Sequence, residues 1–310
     1  MPDDLYRLID FGDGRKLESI CGRLVDRPSP AAEHARRNQP SIWRQADSRF
    51  CSDAKSWTHR TPWPDATIID CGAFRMPVRP TPFGHIGLFP EQHSNWQWLN
   101  NDDADDPNNS NLNPGSSEPS PKSGLNLFGY TGGSTMALVA AGFQVAHVDA
   151  AKPNVQSARE SAEINGWTDR PIRYLVDDAA TFAAREVRRK KTYDTIVLDP
   201  PAYGHSPKGK AWRLQRDLWP LLTDCLSLVD PTNFRMLITG HSPDVTANDV
   251  ADFVRREQGR FQQSRREDGQ PTEAAPNPLR IESGRSFLKD ESGRKLDTGF
   301  FVRAQCRLDS

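Results

Sequence analysis

From Gly124 onward the sequence switches period again and again between strand-like and helix-like spacing, and that alternation narrows the fold more than anything else in the chain. "GLNLFGY", "VAHVD", "IRYLV", "YDTIVLD" and "FRMLITG" are short apolar runs rich in β-branched and aromatic residues, which predicts strands. Between them lie "STMALVAAG", "KPNVQSARESAEING", "AATFAAREVRRKK" and "AWRLQRDLWPLLTDCLSLV", and "ANDVADFVRREQG" follows the last; all five read as helices. Pro153 suits a first helical turn and Gly166 a helix end. Strands apolar on both faces, each followed by a helix, predict an α/β fold with a doubly wound, mostly parallel, Rossmann-like sheet. The stretches "LRIESGRSFL" and "GFFVRAQCRL" predict a β-hairpin that joins or caps it.

Residues 1–97 are of another kind. Short runs such as "YRLID" and "ATIIDCG" are broken by "FGDGRK", "DRPSP" and "RPTPFG", which predicts a small β-rich N-terminal domain with one helix near "SIWRQADSRF". Residues 98–123 turn acidic and then Asn/Ser/Pro-rich ("NNDDADDPNNSNLNPGSSEPSPKS"), the composition of a disordered linker. The α/β domain is expected over residues 124–310. With 36% hydrophobic residues in 310, the chain can bury a full core.

Composition also narrows partners. A net charge of -1 gives no global attraction to phosphate, so any nucleic-acid contact would rest on local basic clusters. Five scattered cysteines, none in a C-x-x-C pair, read as reduced thiols and signal neither a disulfide framework nor a metal site. No apolar run approaches the roughly 20 residues of a membrane span, and the amino terminus lacks a secretory profile, so the cytoplasm is the expected location.

In a sheet of this kind ligands sit beyond the carboxyl ends of the strands, where strand order reverses. The first strand-to-helix turn reads "NLFGYTGGST". Gly132 and Gly133 suit a tight turn that opens a helix, but with Gly129 they do not give G-x-G-x-x-G, and Phe128 and Tyr130 would obstruct a pyrophosphate. A nucleotide-linked dehydrogenase is disfavoured. The second strand ends in Asp149, placed to accept from ribose hydroxyls; the third ends in Asp177-Asp178, an acceptor pair for an adenine amino group. The fourth ends in "LDPPAYG", Leu198 to Gly204.

Taken in order, "NLFGYTGG", "VDAAKPNVQSARESAEINGW", "DDA" and "LDPPAYG" resemble the class I S-adenosylmethionine-dependent methyltransferases, and within them the 23S ribosomal RNA large-subunit subgroup. That subgroup carries runs of the form L-F-x-Y-T-G, V-D-x-S, A-R-x-N-x-x-x-N-G and D-P-P. The resemblance implies S-adenosyl-L-methionine as cofactor, with Phe128, Tyr130, Thr131, Gly132 and Gly133 about its methionine part. It likewise implies Asp149 on the ribose, Asp178 near the adenine and Asp199 beside the sulfonium. Upstream, "GLFPEQ" is similar to the family's G-F-F-x-D-Q run, which implies that Glu91 meets the ammonium group and Gln92 the carboxylate. The N-terminal domain would then help cover the cofactor or substrate.

Two prolines give the fourth strand end its chemistry. Pro200 and Pro201 have fixed φ and no N–H, so the carbonyls of Asp199 and Pro200 are expected to point into the site as stiff acceptors for an exocyclic amine. Tyr203 offers a face on which a flipped-out base stacks. Carbon methylation of cytosine would need a cysteine after the fifth strand, where this chain has His241 and Ser242; Cys225 sits in a helical pattern and reads as packing. Lys208, Lys210 and Arg213 flank the motif and suit phosphates. Ribosomal RNA is the substrate the resemblance implies, and an amino nitrogen of a base the expected acceptor. A small-molecule or protein acceptor, or a non-catalytic cofactor-binding module, are the alternatives. No metal and no membrane partner are expected.

Overall fold

The computed structural model describes residues 5–101, 122–205, 211–267 and 278–306. Two compact units divide it: Met1–Ser94 with Glu160–Trp167 and Ser286–Thr298, and Asn95–Arg159 with Thr168–Arg285 and Gly299–Ser310.

The first unit holds a sheet of β1 (Tyr6–Gly12), β2 (Arg15–Ile20), β3 (Arg23–Pro28), β4 (Ser48–Cys51) and β5 (Ser56–His59), in that order. β1 to β3 form an antiparallel meander, β4 joins β3 in parallel, and β6 (Ile68–Asp70) pairs separately with β7 (Arg75–Pro77). The helix expected near "SIWRQADSRF" is a single 3₁₀ turn, Ile42–Gln45, followed directly by β4. Packing explains the difference: the turn drives Trp43 into the core beside Ile9 and Leu17, and its Nε1 donates to Asp10 Oδ2 at 2.7 Å. Beneath the meander, buried Glu18 accepts from Arg27 (2.5 and 3.0 Å) and from the Tyr6 hydroxyl (2.8 Å), and pairs with Lys16 at 3.0 Å. A buried carboxylate persists only when paired in this way.

Further along the chain, α1 (His93–Asn100) precedes β8 (Ser123–Leu127), α2 (Gly133–Ala140), β9 (Gln144–Asp149), α3 (Lys152–Ile164), β10 (Ile172–Val176), α4 (Ala179–Arg188) and β11 (Thr195–Leu198). Then come β12 (Tyr203–His205), β13 (Ala211–Arg213), α5 (Leu214–Leu226), β14 (Phe234–Gly240), α6 (Ala247–Glu267), β15 (Arg280–Lys289) and β16 (Lys295–Cys306). The main sheet runs β10-β9-β8-β11-β14-β16-β15. Its first five strands are parallel and β16 lies antiparallel to β14. This is the predicted Rossmann-like sheet with helices. Strand order reverses between β8 and β11, so the turns leaving those two strands face the place where ligands bind in such folds.

Three boundaries differ from the sequence reading. Trp98 to Asn100, expected in the linker, complete α1: Leu99 is buried, its carbonyl accepts from Arg235 Nη1 at 3.2 Å, and the Arg235 guanidinium lies 4.0 Å from the Trp98 ring centroid. Asp102 to Pro121 of the expected linker lie outside the described residues. Ala211 to Arg213, expected to begin a helix, pair as β13 with β12 instead. Helix α6 continues past the predicted glycine to Glu267. Among the described residues no helix is long and apolar enough to cross a membrane.

Candidate active site

The register sets the site. Leu127 pairs with Val148 on one side and with Leu198 on the other, and Leu198 pairs with Ile238. Phe128, Asp149, Asp199 and Thr239, each one residue further on, therefore reach the carboxyl edge of the sheet side by side.

After β8 the chain turns sharply. Phe128 (φ 57°), Tyr130 (φ 49°) and Gly132 (φ 93°) are all left-handed. For two aromatic residues that conformation costs about 1 kcal/mol or more each, and it persists only where surrounding contacts fix it. They are present. Gly129 N–H donates to the Val148 carbonyl (3.0 Å), Gly132 N–H to the Gly129 carbonyl (2.9 Å), and Tyr130 N–H to Asp149 Oδ2 (2.9 Å). Helix α2 then starts at Gly133, where a Cβ would lie 2.7 Å from the Trp96 ring of α1; Trp96 Nε1 also donates to Ser134 Oγ at 3.3 Å. Glycine at 133 is thus dictated by the indole stacked over the helix start.

The Asp-Pro-Pro corner is braced from two directions. Thr239 Oγ1 donates to Asp199 Oδ1 at 2.5 Å from β14. Trp212 of β13 donates from Nε1 to the Pro201 carbonyl at 2.8 Å, while Leu214 N–H donates to the Ala202 carbonyl at 3.1 Å. Pro200 is buried but Asp199 is exposed. Tyr203 is 73% exposed, and across the β12–β13 pair it stands directly opposite exposed Arg213. Directly paired residues put their side chains on one face, so an aromatic plane and a cation lie together beside the corner.

Carboxylates dominate the edge: Asp149, Asp177, Asp178 and Asp199. Asp149 Oδ1 accepts from Ala151 N–H (2.8 Å) and Asn154 Nδ2 (3.0 Å). Asp178 caps α4 by accepting from Thr181 N–H (2.9 Å), and Asp177 pairs with Arg185 at 2.6 Å. An acidic edge repels a pyrophosphate and suits a ligand that brings a positive charge and hydroxyl or amino donors. These residues fit S-adenosylmethionine on that ground: a sulfonium, an ammonium, two ribose hydroxyls and an adenine amine. Helix α2 adds first-turn amides, which have no partner within a helix and can meet a carboxylate.

Comparison with known proteins agrees with this chemistry. The crystal structure of an S-adenosylmethionine-dependent methyltransferase from Agrobacterium tumefaciens matches with a TM-score of 0.80 over 97% of this chain and 90% of that one, at 30% identity. The chain belongs to the S-adenosylmethionine-dependent methyltransferases. A methyltransferase structure from Streptococcus mutans shares the fold at 14% identity, with a TM-score of 0.68 over 97% of this chain and 74% of that one. By sequence, the ribosomal RNA large subunit methyltransferase K/L of Vibrio cholerae is 31% identical over 109 residues, which is 34% of this chain and 15% of that protein. The corresponding methyltransferase I of Alteromonas mediterranea is 34% identical over 80 residues, 26% of this chain and 20% of the relative. The chain thus matches only a minor part of the length of these curated relatives. No family model matches it.

Within this methyltransferase, Phe128, Tyr130, Thr131, Gly132, Gly133, Asp149, Asp178 and Asp199 lie along the carboxyl edge of one sheet, with Pro200, Pro201, Tyr203 and Arg213 beside it. Glu91 and Gln92 form a 3₁₀ turn with Pro90 in the first unit, where Glu91 Oε2 is buried without a hydrogen-bond partner. Lys208 and Lys210 lie outside the described residues. Cys225 is fully buried in α5, and burial, with Asp224 nearby, pushes its thiol pKa well up, as expected of packing rather than a nucleophile. His241 is exposed. Among the described residues no group of three or more His, Cys, Asp or Glu is arranged to hold a metal ion. Sequence reasoning missed Thr239, Trp212 and Trp96. Only Trp212 left a signal, a tryptophan between a basic run and a helix start.

Proposed function

We propose that this methyltransferase transfers a methyl group from S-adenosylmethionine to an exocyclic amino nitrogen of a ribosomal RNA base. When bound, the cofactor supplies an electrophilic methyl on a sulfonium that leaves as a neutral thioether. The chain's own part is placement. Asp199, held by Thr239, accepts a hydrogen bond from the acceptor amine and turns its lone pair toward the methyl carbon. The acceptor nitrogen would give up one proton on gaining the methyl group, and Asp199 or water would take it. Asp149 would hold the ribose and Asp178 the adenine.

The single observation that carries the choice of a base is the exposed Tyr203 paired with Arg213 beside the diproline corner. Stacking on such a ring is worth on the order of 1–3 kcal/mol, and a neighbouring cation suits the adjoining phosphate. The names of the partial relatives above support RNA as the class. Buried Cys225 speaks against a covalent route to 5-methylcytosine.

The test is transfer of tritiated methyl to ribosomal RNA from a strain lacking the gene, followed by nucleoside digestion. Label is expected in one N-methylated nucleoside. Label in a ring-carbon methyl group would remove the nitrogen assignment, and label confined to protein or small molecules would remove RNA.

A further inference from the structure

We propose that His147 is a positioning residue for the cofactor loop, and that residue 129 is glycine because the His147 imidazole fills the space a side chain would need. The inference rests on the loop Phe128 to Gly133 binding S-adenosylmethionine. The strands of a parallel sheet covered on both faces are ordinarily apolar, yet β8 and β9 place Asn126 and His147 side by side in the interior, both essentially inaccessible. Buried polar groups call for an explanation.

The hydrogen bonds supply one. Asn126 Nδ2 donates to Thr135 Oγ1 at 2.8 Å, and that hydroxyl lies 2.8 Å from His147 Nδ1. A threonine hydroxyl has one proton to give; giving it to Nδ1 pairs all three groups and puts the ring proton on Nε2. Burial, and then the positive charge of Arg159, lowers the imidazole pKa to about 4, so the ring is neutral. Nε2 makes no hydrogen bond, and the ring lies against Tyr174 with centroids 5.9 Å apart. The imidazole is thereby fixed from β8 and α2 and wedged against β10.

What it presses on is the loop. A Cβ at Gly129 would stand 2.5 Å from His147 Cε1 and 2.6 Å from Nδ1. Gly129, unlike Gly132, is not among the residues with positive φ, so its backbone would accept a side chain. Only the ring excludes one. Gly129 sits between left-handed Phe128 and Tyr130, and its N–H is tied to Val148, so a ring that sets the height of Gly129 sets both neighbours and the Tyr130 amide that Asp149 receives.

Calorimetric titration of the full chain with S-adenosylhomocysteine tests this. Gly129→Ala is expected to weaken binding about tenfold or more and His147→Ala several-fold, while the double variant binds more tightly than Gly129→Ala alone, because neighbouring sites couple. Gly129→Ala binding like wild type, or no gain on adding His147→Ala, would overturn the proposal. Should Gly129→Ala fail to fold, rescue of folding by His147→Ala supports it and an unfolded double variant overturns it. In His147→Asn the KM for S-adenosylmethionine should rise with little change in kcat; an unchanged KM counts against a positioning role. Absence of binding by the wild-type chain would instead refute the cofactor assignment, before any variant is compared.

Discussion

The rings of Phe128 and Trp212 lie 5.1 Å apart between centroids at 58°, and the same indole donates to the Pro201 carbonyl. One side chain therefore holds the turn after β8 against the corner after β11, the two halves of the site. Trp212→Phe keeps the ring contact and removes the hydrogen bond, a loss of about 1 kcal/mol of stability. Trp212→Ala removes both and should cost about 2 kcal/mol with a larger fall in single-turnover rate. Equal rates in the two variants, read alongside denaturant melts, would refute a bracing role for the ring.

Thr239 is the handle on Asp199. Thr239→Val keeps the volume and removes this donor to the Asp199 carboxylate. We expect kcat to fall about tenfold, equivalent to ~1.4 kcal/mol of transition-state stabilisation, with S-adenosylhomocysteine affinity little altered and Thr239→Ser close to wild type. A fully active valine variant would show that Asp199 does not need the hydrogen bond from Thr239.

His147 predicts an acid-side loss of stability. Its folded pKa, about 4, lies below the ordinary 6.5 because burial and Arg159 oppose the charge. Between those values the unfolded chain takes up the proton and the folded one does not. The contribution is therefore complete above about pH 6.5 and is lost as pH falls toward 4, on the order of 3 kcal/mol in all. Urea melts of wild type and His147→Asn at several pH values should show a steeper acid decline in the wild type; parallel curves would contradict a buried neutral imidazole.

Glu18 gives the first unit its own window. Burial raises its pKa, but the charges and hydrogen bonds of Arg27 and Lys16 outweigh it and hold the carboxyl at about 2, below the ordinary 4.5. Its contribution is present above about pH 4.5 and disappears as pH falls through 2. Removing one member of such a buried pair strands the other, so Glu18→Ala should destabilise this unit by roughly 3–5 kcal/mol. Proteolysis confined to residues before Ser94 in that variant would report it, and unchanged cleavage would argue against the pairing.

Much of this was legible in the sequence because buried parallel strands leave near-continuous apolar runs, as in "TIVL", and because acids at successive strand ends have no packing reason to recur. The diproline corner announced itself through residues that suit neither strand nor helix. The braces did not. Thr239 looks like any β-branched residue of a strand, and its partner lies 40 positions away. Trp212 runs straight into the helical spacing that begins at Leu214, and only its hairpin pairing with Gly204 makes it a strand residue. Leu99 stands at the edge of a polar stretch whose composition masks one buried side chain.

The place of β16 bears on how this enzyme is made. It lies between β14 and β15, antiparallel to β14, yet it follows both in the chain. Until Lys295 to Cys306 has emerged, β14 is an open border whose backbone can pair with another nascent chain, and Thr239 stands at its tip. Catalytic competence should therefore arrive only once β16 has paired with β14, and chains cut just before Lys295 should aggregate rather than show partial activity.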